Sequence, residues 1–203
     1  MTRLSSNICV AAMAITIAAG FALPASAEVY YTPVVVSIPA GGYYNIDLNH
    51  DGIADFTLRS ALLQDYCQFG DGYLWSLTVS PSTGNAVMTP AGRIGSANAA
   101  ALAGGVPVNS WGSFYPGLST MAELYWGSCG VGAQGQWLNI PNRYLGLKFL
   151  GPDNQIHYGW ANVSTIAYVD QHGHFQNSTI LSGFAYETIP GQQISTGQIS
   201  DTR

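Results

Sequence analysis

Residues 156–169 read Ile-His-Tyr-Gly-Trp-Ala-Asn-Val-Ser-Thr-Ile-Ala-Tyr-Val, and this stretch decides the fold. Its β-branched and aromatic residues are typical of a long β-strand. The turn sequence Gln171-His172-Gly173-His174 follows, and residues 179–188 run back as a second strand-like segment. The sequence therefore predicts a long antiparallel pair in the last third of the chain.

Shorter strand patterns precede this pair at intervals of roughly ten residues, as in antiparallel sandwiches. Residues 144–149 alternate with period two before the turn at 151–154. Further strand patterns cover residues 29–38, 43–46, 56–59, 73–79, 85–89 and 122–126, and we expect 85–89 to lie beside 73–79. Only the Ala-rich segment 97–103 favours a short helix. The prediction is an all-β, antiparallel, jelly-roll-like β-sandwich with at most one short helix.

The N-terminus has the three parts of a cleaved secretory signal. Arg3 supplies the positive charge, residues 8–21 are almost wholly apolar, and small residues stand at Ala25 and Ala27. The apolar run is shorter than the ~20 residues of a membrane-spanning helix, and no second run is long enough. We therefore expect residues 1–27 to be a signal peptide cut after Ala27, no membrane span, and a secreted, extracellular or periplasmic mature chain.

The mature chain, residues 28–203, has the length of a single domain. Its last part, residues 191–203, is polar, and we expect it to be a loose tail. Only 8% of the full chain is charged, the net charge is −5, and the basic residues are scattered. Because nucleic acids and anionic membranes need clustered Lys and Arg, this composition argues against both as partners.

Two cysteines, Cys67 and Cys129, remain once the signal is removed. A pair of cysteines in an oxidising compartment predicts one disulfide. Its loop would stabilise the domain by about 4 kcal/mol in the chain-entropy model. The alternative is two buried free thiols.

The spacing of oxygen-bearing side chains in one loop is typical of a metal-binding site. Oxygen-bearing side chains occupy its first, third, fifth and ninth positions, which are Asp47, Asn49, Asp51 and Asp55. Gly52, at the sixth position, can take the positive φ of a sharp turn. The backbone carbonyl of Ile53 supplies a further oxygen, so the pattern predicts a calcium site.

The loop is not a complete EF-hand, because Leu58 stands where a bidentate Glu is needed. We therefore expect a modest calcium Kd of about 10⁻⁴ to 10⁻³ M, as in extracellular modules. The alternative is a polar hairpin turn built on Asp51-Gly52.

A set of segments resembles a group of exported bacterial proteins of unestablished activity that often carry a PEP-CTERM sorting signal. The segments are, in order, residues 46–58, 144–149 (Tyr-Leu-Gly-Leu-Lys-Phe), 157–161 (His-Tyr-Gly-Trp-Ala), 184–188 (Phe-Ala-Tyr-Glu-Thr) and 190–191 (Pro-Gly). The resemblance implies an extracellular β-sandwich that opens with a calcium loop. Residues 198–203 depart from the sorting tail of that group, so we expect release rather than surface attachment.

The function expected from these patterns is that of a calcium-stabilised structural or interaction protein. The alternative is a carbohydrate- or matrix-binding module that contacts extracellular polysaccharide through exposed aromatic rings. Trp111 and Trp137 lie in polar, Gly-rich surroundings and are the candidate ligand-facing residues. Trp75 and Trp160 lie in apolar strands and are expected in the core.

Enzymatic activity is not expected, because no catalytic motif is present. Glu123 and Glu187 leave a glycan-acting hydrolase as a distant alternative. Asp170, His172 and His174 have the close spacing of zinc ligands, but a Gly-centred turn with exposed histidines explains them better. A structural role is also expected for His157.

Overall fold

The computed structural model describes residues 28–64, 71–91, 97–128 and 130–200. The expected signal peptide and both expected disulfide partners, Cys67 and Cys129, lie outside the described residues. The described chain contains no helix, and so none that could cross a membrane. Its strands are β1 Val29–Thr32, β2 Val36–Ser37, β3 Tyr43–Ile46, β4 Phe56–Gln64, β5 Tyr73–Pro81, β6 Ala86–Met88, β7 Pro107–Val108, β8 Phe114–Tyr115, β9 Ser119–Gly127, β10 Gly130–Gln134, β11 Ile140–Leu150, β12 Ile156–Val169, β13 Phe175–Glu187 and β14 Ile194–Ser195.

Two large antiparallel sheets pack face to face. The larger sheet has the strand order β1-β13-β12-β11-β6-β8, with β2 paired to β13. The second sheet has the order β10-β9-β5-β4-β3, and a small sheet pairs β14 with β7. The predicted all-β antiparallel sandwich is confirmed, and the predicted pair of long C-terminal strands lies at the centre of the larger sheet as β12 and β13.

The main core fills the space between the two large sheets. Alternate side chains of each strand enter it, because successive residues of a strand point to opposite faces. In β5, for example, Trp75, Leu77 and Val79 are fully buried while their neighbours are partly exposed. The largest buried side chains include Trp75, Trp137, Phe56 and Phe149.

A second, smaller core lies on the outer face of the larger sheet. It joins Tyr158 and Trp160 of β12 to Val108 of β7 and Ile194 of β14. The loose tail expected from Gly191 is therefore wrong for residues 191–200. Ile194 is fully buried, and the indole nitrogen of Trp160 donates to the carbonyl of Gln198 at 3.0 Å. Burial of a few apolar side chains holds this polar segment against the sheet.

The helix considered for residues 97–103 is also absent. Asn98 bridges to Thr120, Leu102 bridges to Tyr144, and the amide of Ala99 donates to the carbonyl of Thr120 at 2.9 Å. Ala99 and Ala100 are buried. Tertiary pairing and burial thus override the helix propensity of alanine, which is a weak preference over so short a segment.

Candidate functional site

The acidic loop connects β3 to β4 at one end of the sandwich. The carboxylate of Asp47 accepts hydrogen bonds from the amides of Asp51, at 3.2 Å, and Gly52, at 2.8 Å. Gly52 has a φ of 87°, which confirms the predicted sharp turn, and His50 also lies in the left-handed region at 59°. The backbone therefore curls around the Asp47 carboxylate.

Asn49 and Asp51 complete this curl with further bonds to the loop. The side-chain oxygen of Asn49 accepts from the amide of Asp51 at 3.1 Å, and Asp51 accepts from the amide of Ile53 at 2.8 Å. The Asn49 amide nitrogen also donates to Asp51 at 3.0 Å. Three oxygen-bearing side chains thus gather in one turn, and Asp51 and Ile53 are solvent-exposed.

Asp55 differs from these residues because its side chain turns into the protein. It is only 7% exposed, and its oxygens accept from the amide of Leu48 at 2.8 Å and from Asn85 Nδ2 at 3.2 Å. Asn85 in turn accepts from the amide of Leu150 at 2.9 Å. Among the described residues, no three His, Cys, Asp or Glu side chains are grouped to hold a metal ion. The structure therefore does not bring Asp55 together with Asp47 and Asp51 in one cluster.

The pKa of the Asp55 carboxyl lies above its ordinary value of 3.8. Burial is the main cause, hydrogen bonds from Leu48 and Asn85 oppose it, and the charges of Asp51 and Asp47 raise it further. Because the folded state binds this proton more tightly than the unfolded chain, the resulting stability is fully present below 3.8 and is lost as the pH rises through the folded pKa.

We expect this linkage to appear as a pH-dependent difference between the wild-type chain and Asp55→Asn. The wild type should lose stability relative to the variant as calcium-free buffer is raised from pH 3.8 towards neutrality. Melting temperatures of residues 28–203 across this range measure the effect. A wild type that gains stability relative to Asp55→Asn over the same range would contradict the raised pKa.

The loop is anchored to both large sheets. Leu48 is fully buried in the main core, close enough to β12 that a side chain at Gly159 would meet its methyl group. His50 Nε2 lies 2.7 Å from the hydroxyl of Thr32 on β1, and its ring stacks at 6.1 Å on Phe184 of β13. The loop belongs to the strands of one sheet but packs on the other, so its conformation affects how the sheets are held together.

A cavity of about 220 Å³ lies beside the loop, between Asn49 and the 151–153 turn. His157 lines it and is buried, with 5% of the residue exposed. Its nitrogens lie 2.9 Å from the carbonyl of Glu187 and 3.2 Å from Asp153 Oδ2. These two partners connect β12 to the end of β13 and to the preceding turn, which is the geometry of a structural histidine.

The turn between β12 and β13 contains Asp170, His172 and His174, whose spacing resembles that of zinc ligands. Asp170 Oδ1 accepts from the amides of His172 and His174, each at 2.9 Å, and Gly173 has a φ of 80°. The pKa of Asp170 lies below its ordinary value. The largest cause is the hydrogen bond from the His174 amide, and desolvation of the carboxylate opposes it with a smaller effect. The Asp170 carboxylate thus caps the turn.

The division of the tryptophans into exposed and buried residues differs from the prediction at one position. Trp111 is 93% exposed, as predicted, and Trp75 and Trp160 lie in the cores. Trp137, however, is fully buried, and its indole nitrogen donates to the carbonyl of Ala99 at 3.1 Å. The expectation that Trp137 faces a ligand is therefore wrong, because the chain folds this residue back into the main core.

The carboxylates considered for hydrolysis lie on different sheets. Glu123 is on β9 and accepts from the side chain of Gln134 on β10. Glu187 is at the end of β13, 1% exposed, and accepts from the amide of Ile189 at 3.0 Å. Each carboxylate thus has a local structural partner.

The fold and the loop together define an all-β sandwich in which an acidic loop of one sheet packs against the other. Comparison of the chain with protein-family models, curated proteins and solved structures gave no match. The proposals below therefore rest on the geometry of the described residues.

Proposed function

We propose that this chain is a secreted, calcium-stabilised β-sandwich that acts as a structural or interaction protein outside the cytoplasm. The observation that carries the proposal is the position of the 47–55 loop, which connects two strands of the second sheet, bonds to itself around Asp47 and packs on the larger sheet through Leu48 and His50. An ion held there stabilises the sandwich as a whole, because it binds only the folded state.

The residues that would hold the ion are Asp47, Asn49 and Asp51, with the carbonyl of Ile53. Hard oxygen donors are the ligands that calcium prefers, and the negative charges of Asp47 and Asp51 already raise the pKa of the Asp55 carboxyl. A divalent cation offsets this repulsion. We assign Asp55 to bracing the loop from behind, since its bonds run to Leu48 and Asn85.

The test is the melting temperature of residues 28–203 in 10 mM calcium and in chelator. For a Kd of about 10⁻⁴ to 10⁻³ M, calcium should stabilise the chain by about 1.4–2.7 kcal/mol. This corresponds to a rise of roughly 3–10 °C for a domain of this size.

Asp51→Ala is the variant that identifies the ligand set, and Asp71→Ala is its matched control. Asp71 is an exposed aspartate outside the loop. The rise with calcium should disappear in Asp51→Ala and persist in Asp71→Ala. An unchanged melting temperature of the wild type in calcium would leave the loop as a polar hairpin turn and would remove the metal from the proposal.

A carbohydrate- or matrix-binding module is the second candidate, and Trp111 favours it. Its indole is 93% exposed. Its loop is fixed, because Asn109 Oδ1 accepts from the Trp111 amide at 3.0 Å and Asn109 Nδ2 donates to Gln193 Oε1 at 3.0 Å. A rigid loop that displays a large aromatic ring is a recurrent way to contact a ligand.

A further inference from the structure

A second cavity, lined by aromatic rings, lies on the outer face of the larger sheet. It crosses four neighbouring strands, since Tyr31 is on β1, Ser182 on β13, Asn162 on β12 and Tyr144 on β11. Gly197 and Ile199 of the C-terminal segment close one side, and the cavity has a volume of about 190 Å³. We call it the outer-face cavity.

Two register shifts and one left-handed residue border the outer-face cavity. The pairing of β12 with β13 shifts register between Asn162 and Val163, and the pairing of β11 with β12 shifts next to Asn142. Asn142 has a φ of 49°, in the left-handed region that non-glycine residues rarely adopt. β-Bulges and strained residues often lie beside functional sites, where they redirect side chains.

The Tyr31 side chain, which lines the cavity, lies very close to the backbone of Gly183. The φ of Gly183 is 144°, and a Cβ at this position would lie 2.8 Å from the Tyr31 hydroxyl. Only glycine permits both this backbone and the position of the Tyr31 ring. The wall of the cavity formed by Tyr31 is therefore set by a residue of the neighbouring strand.

The aromatic rings of the cavity are held in fixed positions. Trp160 is 2% exposed, and its indole nitrogen is bonded to the carbonyl of Gln198. Tyr31 lies 5.9 Å from Trp160 between ring centroids, and Tyr144 meets Trp160 edge to face at 5.2 Å. A rigid set of rings loses little conformational entropy when a ligand binds.

The polar side chains of the cavity include two amides, of Asn142 and Asn162, and three hydroxyls, of Tyr31, Tyr144 and Ser182. Asn162 is 8% exposed, yet its side chain makes one hydrogen bond among the described residues, from Nδ2 to the carbonyl of Arg143 at 3.5 Å. This distance is the outer limit of a hydrogen bond. A buried amide so weakly satisfied has donor and acceptor capacity for a ligand.

No side chain that lines the outer-face cavity carries a formal charge at neutral pH. An anionic ligand would find no cation there, and a cationic ligand would find no carboxylate. The aromatic rings of the cavity can pack against the apolar face of a sugar ring. Its amides and hydroxyls can form hydrogen bonds with the sugar's hydroxyl groups, so the lining suits an uncharged sugar. At about 190 Å³ the cavity is smaller than the ~300–1,000 Å³ of drug-sized ligands, so it fits a single ring.

We propose that the outer-face cavity binds one ring of an uncharged glycan. The proposal rests on the second candidate function above and gives that function a different site from Trp111. The same face of β12 continues beyond Asn162 to Ile166, 53% exposed, and Tyr168, 49% exposed. These residues extend the apolar surface along which further rings of a polymer would lie.

The test is binding of residues 28–203 to soluble neutral polysaccharides, measured by affinity electrophoresis and isothermal titration. The probes are arabinoxylan, galactomannan, hydroxyethyl cellulose and dextran, with anionic alginate for comparison. Asn142→Gly removes an amide of the cavity and keeps the positive φ, while Asn154→Gly makes the same change at an exposed turn with a φ of 62°. Tyr31→Ala removes an aromatic wall, and Tyr43→Ala removes a tyrosine that is 67% exposed on β3.

We expect binding to at least one neutral polysaccharide and none to alginate. Asn142→Gly should weaken binding about two- to tenfold, and Tyr31→Ala about tenfold or more, while Asn154→Gly and Tyr43→Ala bind as the wild type does. Melting temperatures confirm that each variant is folded. Loss of binding in Trp111→Ala but not in the cavity variants overturns this inference and keeps the glycan-binding function. Absence of binding to every neutral probe overturns both.

Discussion

Trp137→Ala should lower the free energy of unfolding by about 3–5 kcal/mol, the cost of removing a large aromatic side chain from a packed core. The indole is fully buried among residues of both large sheets. Its nitrogen donates to the carbonyl of Ala99, and its backbone carbonyl accepts from the hydroxyl of Thr165 on β12. The variant thus leaves a cavity and an unpaired carbonyl at Ala99. Urea denaturation of residues 28–203 measures the loss.

Trp111→Ala is the matched control, because the same substitution is made at a tryptophan that is 93% exposed. We expect a change within about 0.5 kcal/mol, as at other surface positions. Similar losses in the two variants would contradict the assignment of Trp137 to the core and of Trp111 to the surface.

The error in the sequence-based prediction for Trp137 has a local cause. Its neighbours Gln134, Gly135 and Gln136 are polar or small, and this composition is typical of an exposed loop. In the structure Gly135 has a φ of 93°, and a Cβ there would lie 2.2 Å from the carbonyl oxygen of Met121. Glycine lets the chain approach the edge of β9 and place the next large ring inside. A single sequence shows the glycine but not the strand that it approaches.

The long strands could be predicted because their pattern is local. Residues 156–169 form β12 over their full predicted length, and residues 43–46 form β3. The pairing of short strands depends on partners that are distant in the sequence, so it is harder to predict from the local pattern. The predicted neighbourhood of residues 85–89 and 73–79 is wrong, because β6 pairs with β11 and β8 in the opposite sheet. The turn at Gly84, with a φ of 90°, carries the chain from one sheet to the other rather than into a hairpin.

The acidic loop shows the same division between local and distant information. The alternation of Asp47, Asn49 and Asp51 around Gly52 predicted the curl that these residues make. The direction of the Asp55 side chain depends on Asn85, thirty residues later, and on the burial of Leu48. The outer-face cavity is not predictable from local sequence, because its residues come from four strands and the C-terminal segment.

Asp55→Ala should destabilise the folded chain by about 2–4 kcal/mol in calcium-free buffer at neutral pH, because it strands one buried donor, at about 1–3 kcal/mol, and removes one of the two bonds of another, at about 0.5–1.5 kcal/mol. The stranded donor is the amide of Leu48. The Nδ2 of Asn85 loses the Asp55 carboxylate but keeps the backbone carbonyl of residue 55, which it contacts at 3.2 Å. The Leu48 bond fixes the loop beside a fully buried core residue. The variant should therefore loosen the packing of the loop on the larger sheet, measurable by urea denaturation.

Asp51→Ala separates this structural role from metal binding, since Asp51 belongs to the same loop but is exposed. Its bonds run to the amide of Ile53 and the side chain of Asn49, and water can replace both. Without calcium we expect a loss of no more than about 1 kcal/mol, well below that of Asp55→Ala. The stabilisation by added calcium should follow the opposite order. Asp51→Ala should lose it, whereas Asp55→Ala should keep part of it, although this variant is less stable before calcium is added. Equal losses without calcium would show that Asp55 does not brace the loop, whereas a full calcium response in Asp51→Ala would place the ion on other ligands.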